Sequence, residues 1–247
     1  MKNEMPIGID RRLQIAWLES TASLYLAGTT SKEIGTVLRE LLGDKLSLGT
    51  TGGRGTLEKT ITILVRIWAN PPEELKPFRD DGLKLLQIGS NETKLALHWG
   101  MTMTVYPFWG TVADVTGRLL KLQGSATIAQ ILQRIKEQLG ERSTVIRAAQ
   151  RVVRTYVDWG VLLDASGKGL YSMAPQIVIA DESVAAWLIE GTLRSGGSDA
   201  APLKVLINSP SIFPFKLKVL PISKLYGRVE VHRQGLDEDI LILKNGR

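Results

Sequence analysis

Residues Ser143 to Trp159 interleave two kinds of side chain at helical spacing, and that pattern leaves the segment one economical way to fold. Arg147, Gln150, Arg151 and Arg154 recur at intervals that share one helix face, while Ile146, Ala149, Val153, Tyr156 and Val157 fall on the opposite face. An amphipathic helix buries its apolar stripe, so the guanidinium row is expected to look outward, at solvent or at a partner. Planar guanidinium groups suit phosphates and guanine edges. Arg142, Ser143 and Thr144, at the start of this helix, join them as candidate DNA contacts.

The flanking residues extend this helix into a motif. Thr127-Ile-Ala-Gln130 has capping-box spacing, so a helix is expected to begin near Thr127, with Ile128, Ile131, Leu132, Ile135 and Leu139 on its apolar side. Gly140 is placed as its C-cap, which makes the turn to the next helix short. After Trp159-Gly160, two short apolar runs between Val161 and Met173 are joined by an Asp/Ser/Gly turn, a hairpin signal. Helix, turn, helix and hairpin in this order predict a winged helix-turn-helix over residues 124–195, with Lys168 at the wing tip. Between Arg134 and Arg154 six Lys or Arg face two Glu, which favours duplex DNA as the partner. Two plainer readings are a solvated basic surface and a protein-docking module, since winged helices serve both ends.

A second capping box, Thr30-Ser-Lys-Glu33, predicts a helix ending at Gly43. Leu13 to Ala27 supplies a preceding helix with Trp17 and Leu24 inward, and Thr56 to Ala69 a following one. In the latter, Leu57, Ile61, Leu64 and Trp68 face a core and leave Lys59, Thr62 and Arg66 outward. Asn70-Pro-Pro72 ends it without a hairpin, so residues 1–72 read as a helix-turn-helix-like unit lacking a wing. The stretch Gly49 to Thr56 reads first as a spacer and second as a phosphate cradle using Arg54; it lacks the lysine of a nucleotide-hydrolysing loop. Residues 73–123 form a helical connector, with Leu95, Trp99, Met103 and Tyr106 at helical spacing and a further helix through Val112, Val115 and Leu119. Ser183 to Arg194 reads as another helix, and residues 196–247 as a small β-rich element with strands at Leu203–Ile207, Arg228–Arg233 and Ile240–Lys244. The expected fold class is mainly α with a small β component: two helix-turn-helix units, the second winged, joined by a helical middle.

Composition narrows the function. A formal charge of +6 with 44% apolar residues describes a globular chain that favours a polyanionic partner. The absence of cysteine excludes disulfides and thiolate metal sites and agrees with a reducing compartment. Met1 to Asp10 has no apolar stretch of the signal-peptide kind, and Leu95 to Trp109 is too short to span a bilayer, so no membrane partner is expected. With only His98 and His232, no nucleophile elbow and no paired catalytic carboxylates, acid–base or zinc chemistry has little material. Asp81 followed by Glu92-Thr-Lys94 has the residue types of a metal-dependent nuclease, but its Glu-x-Lys opens a helix instead of lying on a strand. The expectation is a binding protein with no catalytic residues, no metal and no cofactor.

Thr93-Lys-Leu-Ala-Leu-His-Trp99 through Tyr106-Pro-Phe108, then Ser143-Thr-Val-Ile-Arg147 and Tyr156-Val-Asp-Trp-Gly-Val-Leu162, together with the order of helical unit, helical middle and winged helix, resemble the BrxA accessory proteins of BREX phage-defence systems. The resemblance covers the first two-thirds of the chain. It implies a cytoplasmic, non-enzymatic double-stranded DNA-binding component that works beside other BREX proteins, a methyltransferase among them. Two other classes fit the same residues: an autonomous winged-helix transcriptional regulator, and an adaptor whose basic face meets an acidic protein.

Overall fold

The computed structural model describes residues 6–47, 53–218, 222–234 and 238–244, and within them not the side chains at 44–47, 53, 54, 222 and 234. The fold is mainly helical with small sheets. Three helices come first: α1 (Ile15–Leu26), α2 (Ser31–Ser47) and α3 (Gly53–Trp68). Three more follow: α4 (Lys76–Ile88), α5 (Asn91–Val105) and α6 (Pro107–Gln123). Then come strand β1 (Ser125–Thr127), helices α7 (Ile128–Leu139) and α8 (Ser143–Asp158), and the hairpin β2 (Leu162–Asp164) and β3 (Leu170–Met173). The chain continues through β4 (Ile177–Ile179), α9 (Glu182–Ser195), β5 (Ala200–Pro202), α10 (Leu203–Ile207) and β6 (Phe215–Leu217). It closes with α11 (Ile222–Leu225), β7 (Val229–Gln234) and β8 (Glu238–Leu243).

Local chemistry accounts for most boundaries. Thr127 and Gln130 form the reciprocal capping box, with Thr127 Oγ1 accepting from Gln130 N at 3.2 Å and Gln130 Oε1 accepting from Thr127 N at 2.8 Å. Thr30 and Glu33 do the same for α2. Gly140 stands at φ +84°, a value that disfavours side chains with a Cβ, and this lets only three residues separate α7 from α8. Two expectations need correction. The helix expected to stop at Gly43 runs on to Ser47, because a glycine inside a helix costs only about 1 kcal/mol and neighbouring turns carry it. Leu203–Ile207, expected as a strand, is the short helix α10. Leu203 and Leu206 are buried three residues apart while Val205 is exposed, a spacing that a five-residue apolar run does not reveal by itself.

Three small sheets are present. β3 pairs antiparallel with β2 and, on its other side, with β1, giving the order β1-β3-β2 beside α7 and α8. β4 and β6 pair in parallel. β5, β8 and β7 form the third sheet, antiparallel throughout. One buried apolar cluster runs from Ile9 to Phe215 and crosses positions 72 and 123 without interruption. At its centre Trp99, Trp109, Tyr156, Trp159 and Phe213 stack edge-on and tilted, with ring centroids 4.8–6.2 Å apart. Trp99 donates to the Ser211 carbonyl at 3.0 Å and Tyr156 to the Trp109 carbonyl at 2.9 Å, the latter pinning α8 to α6, while the buried Trp109 Nε1 has no hydrogen-bond partner among the described residues. These tryptophans are core residues.

His98 lies on the most buried stretch of α5 and is 1% exposed, with its Nδ1 accepting from Trp68 Nε1 at 3.0 Å. Burial, helped by the charge of Lys94, pulls its pKa down to about 3. The unfolded chain takes up a proton on this ring near pH 6.5 and the fold does not, so stability falls as pH drops below about 6.5 and keeps falling towards 3. The expected slope from this one residue approaches about 1.4 kcal/mol per pH unit. His98→Gln, which keeps an acceptor for Trp68 but no titrating ring, should flatten the pH dependence of urea midpoints between pH 6.5 and 5. An unchanged slope would show that other groups control it.

Candidate nucleic-acid interface

Helix α8 buries Val145, Ala148, Ala149, Val152, Val153, Thr155 and Tyr156. Its apolar stripe is therefore rotated from the expected one: Ile146 and Val157, expected inward, are only half-buried, and Val145, Ala148 and Val152 take their place. Ser143, Thr144, Arg147 and Gln150 are exposed, and Arg142 caps the N-terminus with its backbone while its side chain makes no capping bond.

The rotation corrects the arginine row. Arg151 and Arg154 are half-buried and engaged within the protein. Arg151 donates to the Asp10 carbonyl at 2.7 Å and lies 3.9 Å from the Asp10 carboxylate. Arg154 reaches the Asp164 carboxylate of β2 at 3.1 Å, and its hydrogen bond to the Tyr171 side chain, with Asp164, holds its pKa above the ordinary value. The cause is a packing that local sequence does not signal. Residues Asp10 to Gln14 run along α8, with Leu13 N donating to Thr155 Oγ1 at 3.2 Å, Trp159 Nε1 donating to the Leu13 carbonyl at 2.9 Å, and Arg12 clamping Asp158 at 2.7 and 3.0 Å.

Helix α3 follows expectation: Leu57, Ile61, Leu64 and Trp68 are buried, and Lys59, Thr62 and Arg66 are exposed. The tertiary structure then joins what the sequence kept apart. Lys59 and Arg66 of α3 and Thr144, Arg147 and Arg151 of α8 line one groove of about 760 Å³, closed by Pro6 to Arg11 and floored by Val105, Tyr106 and Pro107. The segment 6–11 can lie that close because Gly8, at φ +60°, sits against the Tyr106 ring, where an added Cβ would come within 2.7 Å. The groove thus has five cations, Arg11, Lys59, Arg66, Arg147 and Arg151, against one carboxylate, Asp10. Asp10 is already paired with Arg11 at 2.8 Å. Among the described residues, Lys59, Arg66 and Arg147 form no ion pair; like charges gathered in a concave surface focus a positive potential. Arg11 was not a sequence-level candidate. Its side chain is mostly buried, and its Nε has no hydrogen-bond partner.

The remaining predicted residues stand elsewhere. Arg142, the N-cap of α8, and Ser143, Gln150 and Arg154 on α8 lie outside the groove lining, and Lys168 is exposed in the β2–β3 turn. The side chain of Arg54 and residues 49–52 of the glycine stretch lie outside the described residues, while Gly53 to Gly55 form the first turn of α3. Asp81 pairs with Lys84 and Arg228, and Glu92 accepts from Ser90 at the start of α5. Among the described residues no group of three His, Cys, Asp or Glu side chains is arranged to hold a metal ion, and no helix is long and apolar enough to cross a membrane. No protein-family model matches this sequence, and neither curated proteins nor solved structures give a significant match.

Proposed function

We propose that this chain is a non-enzymatic double-stranded DNA-binding protein in which α7, α8 and the β2–β3 hairpin act as a winged helix-turn-helix and α1 to α3 as a wingless counterpart. The observation that carries the reading is the convergence of Lys59, Arg66 and Arg147, from two helices and without carboxylate partners among the described residues, on one cationic groove. Unpaired cations on a rigid support suit phosphate contacts, and both helices are held by a shared core. The exposed line Ser143, Arg147 and Gln150 on α8, with Lys168 on the hairpin, supplies contacts beyond the groove. The resemblance to BrxA proteins supplies the setting: a cytoplasmic component of a BREX phage-defence system, acting beside other BREX proteins.

The test is duplex binding measured against salt. Each neutralised phosphate contributes a log–log slope of about −0.9, so the three unpaired groove cations predict a slope of about −3 or steeper. A flat response, or no retardation of duplex at low salt, removes the reading. For the setting, methyltransferase and ATPase genes beside the coding sequence are expected of a defence component and not of an autonomous regulator.

A further inference from the structure

We propose that the groove between α3 and α8 accepts the terminal nucleotide of a DNA strand, with its phosphate between the two helices, so that the protein prefers phosphorylated duplex ends to duplex interiors. The inference rests on the DNA-binding reading above and adds what part of the DNA this site takes. The flank of a duplex is convex and meets a protein chiefly through phosphates. A site for that flank needs only cations on an open surface. This groove has more than that: about 760 Å³ of concave space, within the range of small-ligand pockets, and an apolar part of its lining from Ile7, Ile63, Val105 and Pro107. An apolar lining does nothing for a continuous sugar–phosphate backbone, but it suits the base and sugar of one nucleotide that has left the stack. Lys59 and Arg66 line one wall and Arg147 the other, so a terminal phosphate can meet one of them while the flanking phosphates meet the others. A terminal phosphomonoester carries roughly −1.5 to −2 charge, against −1 for an internal phosphodiester, so the cationic groove favours the end.

The experiment compares three duplexes of one sequence: blunt with 5′-phosphates, blunt with 5′-hydroxyls, and a dumbbell closed at both ends by hairpin loops. The phosphorylated duplex is expected to bind about tenfold more tightly than the dumbbell, the advantage being about one further charged contact. A deoxynucleoside 5′-monophosphate should compete for that advantage and not for dumbbell binding. Thr62→Trp, which fills the groove from α3 without removing a cation, should bring the three duplexes to one affinity. Salt-dependent but equal binding of all three by the unaltered protein would overturn the strand-end inference and leave the DNA-binding reading standing. Binding of the mononucleotide with no salt-dependent binding of any duplex would overturn both.

Discussion

Replacing Arg66 and Arg147 together by glutamate should weaken duplex binding by at least about 100-fold and make the log–log salt dependence shallower by about two, while the protein stays folded. Each side chain is expected to contribute one phosphate contact, and a charge-assisted contact is worth about 1.5 kcal/mol or more, roughly tenfold each. Reversal adds repulsion to that loss. The fold should tolerate both changes because the side chains are exposed and have no ion-pair partner among the described residues. Thermal unfolding therefore serves as the control and should shift little. The same substitution at Arg151 or Arg154 cannot be interpreted so simply. Arg151 holds the Asp10 backbone and Arg154 holds β2 through Asp164, so loss of binding there would mix lost contacts with displaced structure. Wild-type affinity and salt slope in the double variant would take the groove out of the binding surface.

Trp187→Ala should destabilise the protein by about 3–5 kcal/mol, the usual range for removing a fully buried aromatic side chain. Trp187 is 0% exposed and stacks on Phe78 with ring centroids 4.2 Å apart, donating its Nε1 proton to the Phe78 carbonyl at 2.9 Å. Gly82 and Gly100 press against the ring so closely that an added Cβ would come within 2.8 and 2.5 Å of it. This packing leaves little freedom to collapse into the vacated space. The position matters because α9 belongs to both buried clusters: Val184, Trp187 and Leu188 pack with the larger one, and Ala186, Ile189 and Leu193 with Leu203, Val229 and Leu241 of the C-terminal part. Buried Glu190 reinforces the same junction, accepting from Arg194 at 2.8 Å and Arg228 at 2.7 Å. Trp187→Phe, which retains a ring but loses the hydrogen bond to the Phe78 carbonyl, should cost less than alanine, with about 0.5–1.5 kcal/mol coming from that bond. Urea unfolding of the two variants would check both values; a loss below about 1 kcal/mol for alanine would mean that the ring is not the link between the two clusters.

What could be read along the chain follows the range of the forces involved. The capping boxes at Thr127 and Thr30, the turn at Gly140, the stop after Trp68 and the β2–β3 hairpin all depend on groups within a few residues of one another, and the amino-acid order alone determined them. The outward side of α3, with Lys59 and Arg66, was equally legible, because its buried face is wide and cleanly spaced. Helix α8 was legible as a helix but not in its rotation. Its small residues Ala148 and Ala149 and its valines permit more than one stripe, and the choice was made by the aromatic cluster and by Asp10–Gln14 lying along it. The burial of α9 on both faces and the pairing of β1 with β3 were likewise outside local reach. So the sequence by itself determined most of the longer helices, the two capping boxes and which side chains carry charge, but not the short helix α10. Only the tertiary structure decided that α3 and α8 share one groove, that Arg11 joins it, and that Arg151 and Arg154 are spoken for. The physical reason is separation: Asp10 and Arg151 are 141 positions apart, and contacts across such a distance arise from packing of the whole core, which leaves no pattern in either segment.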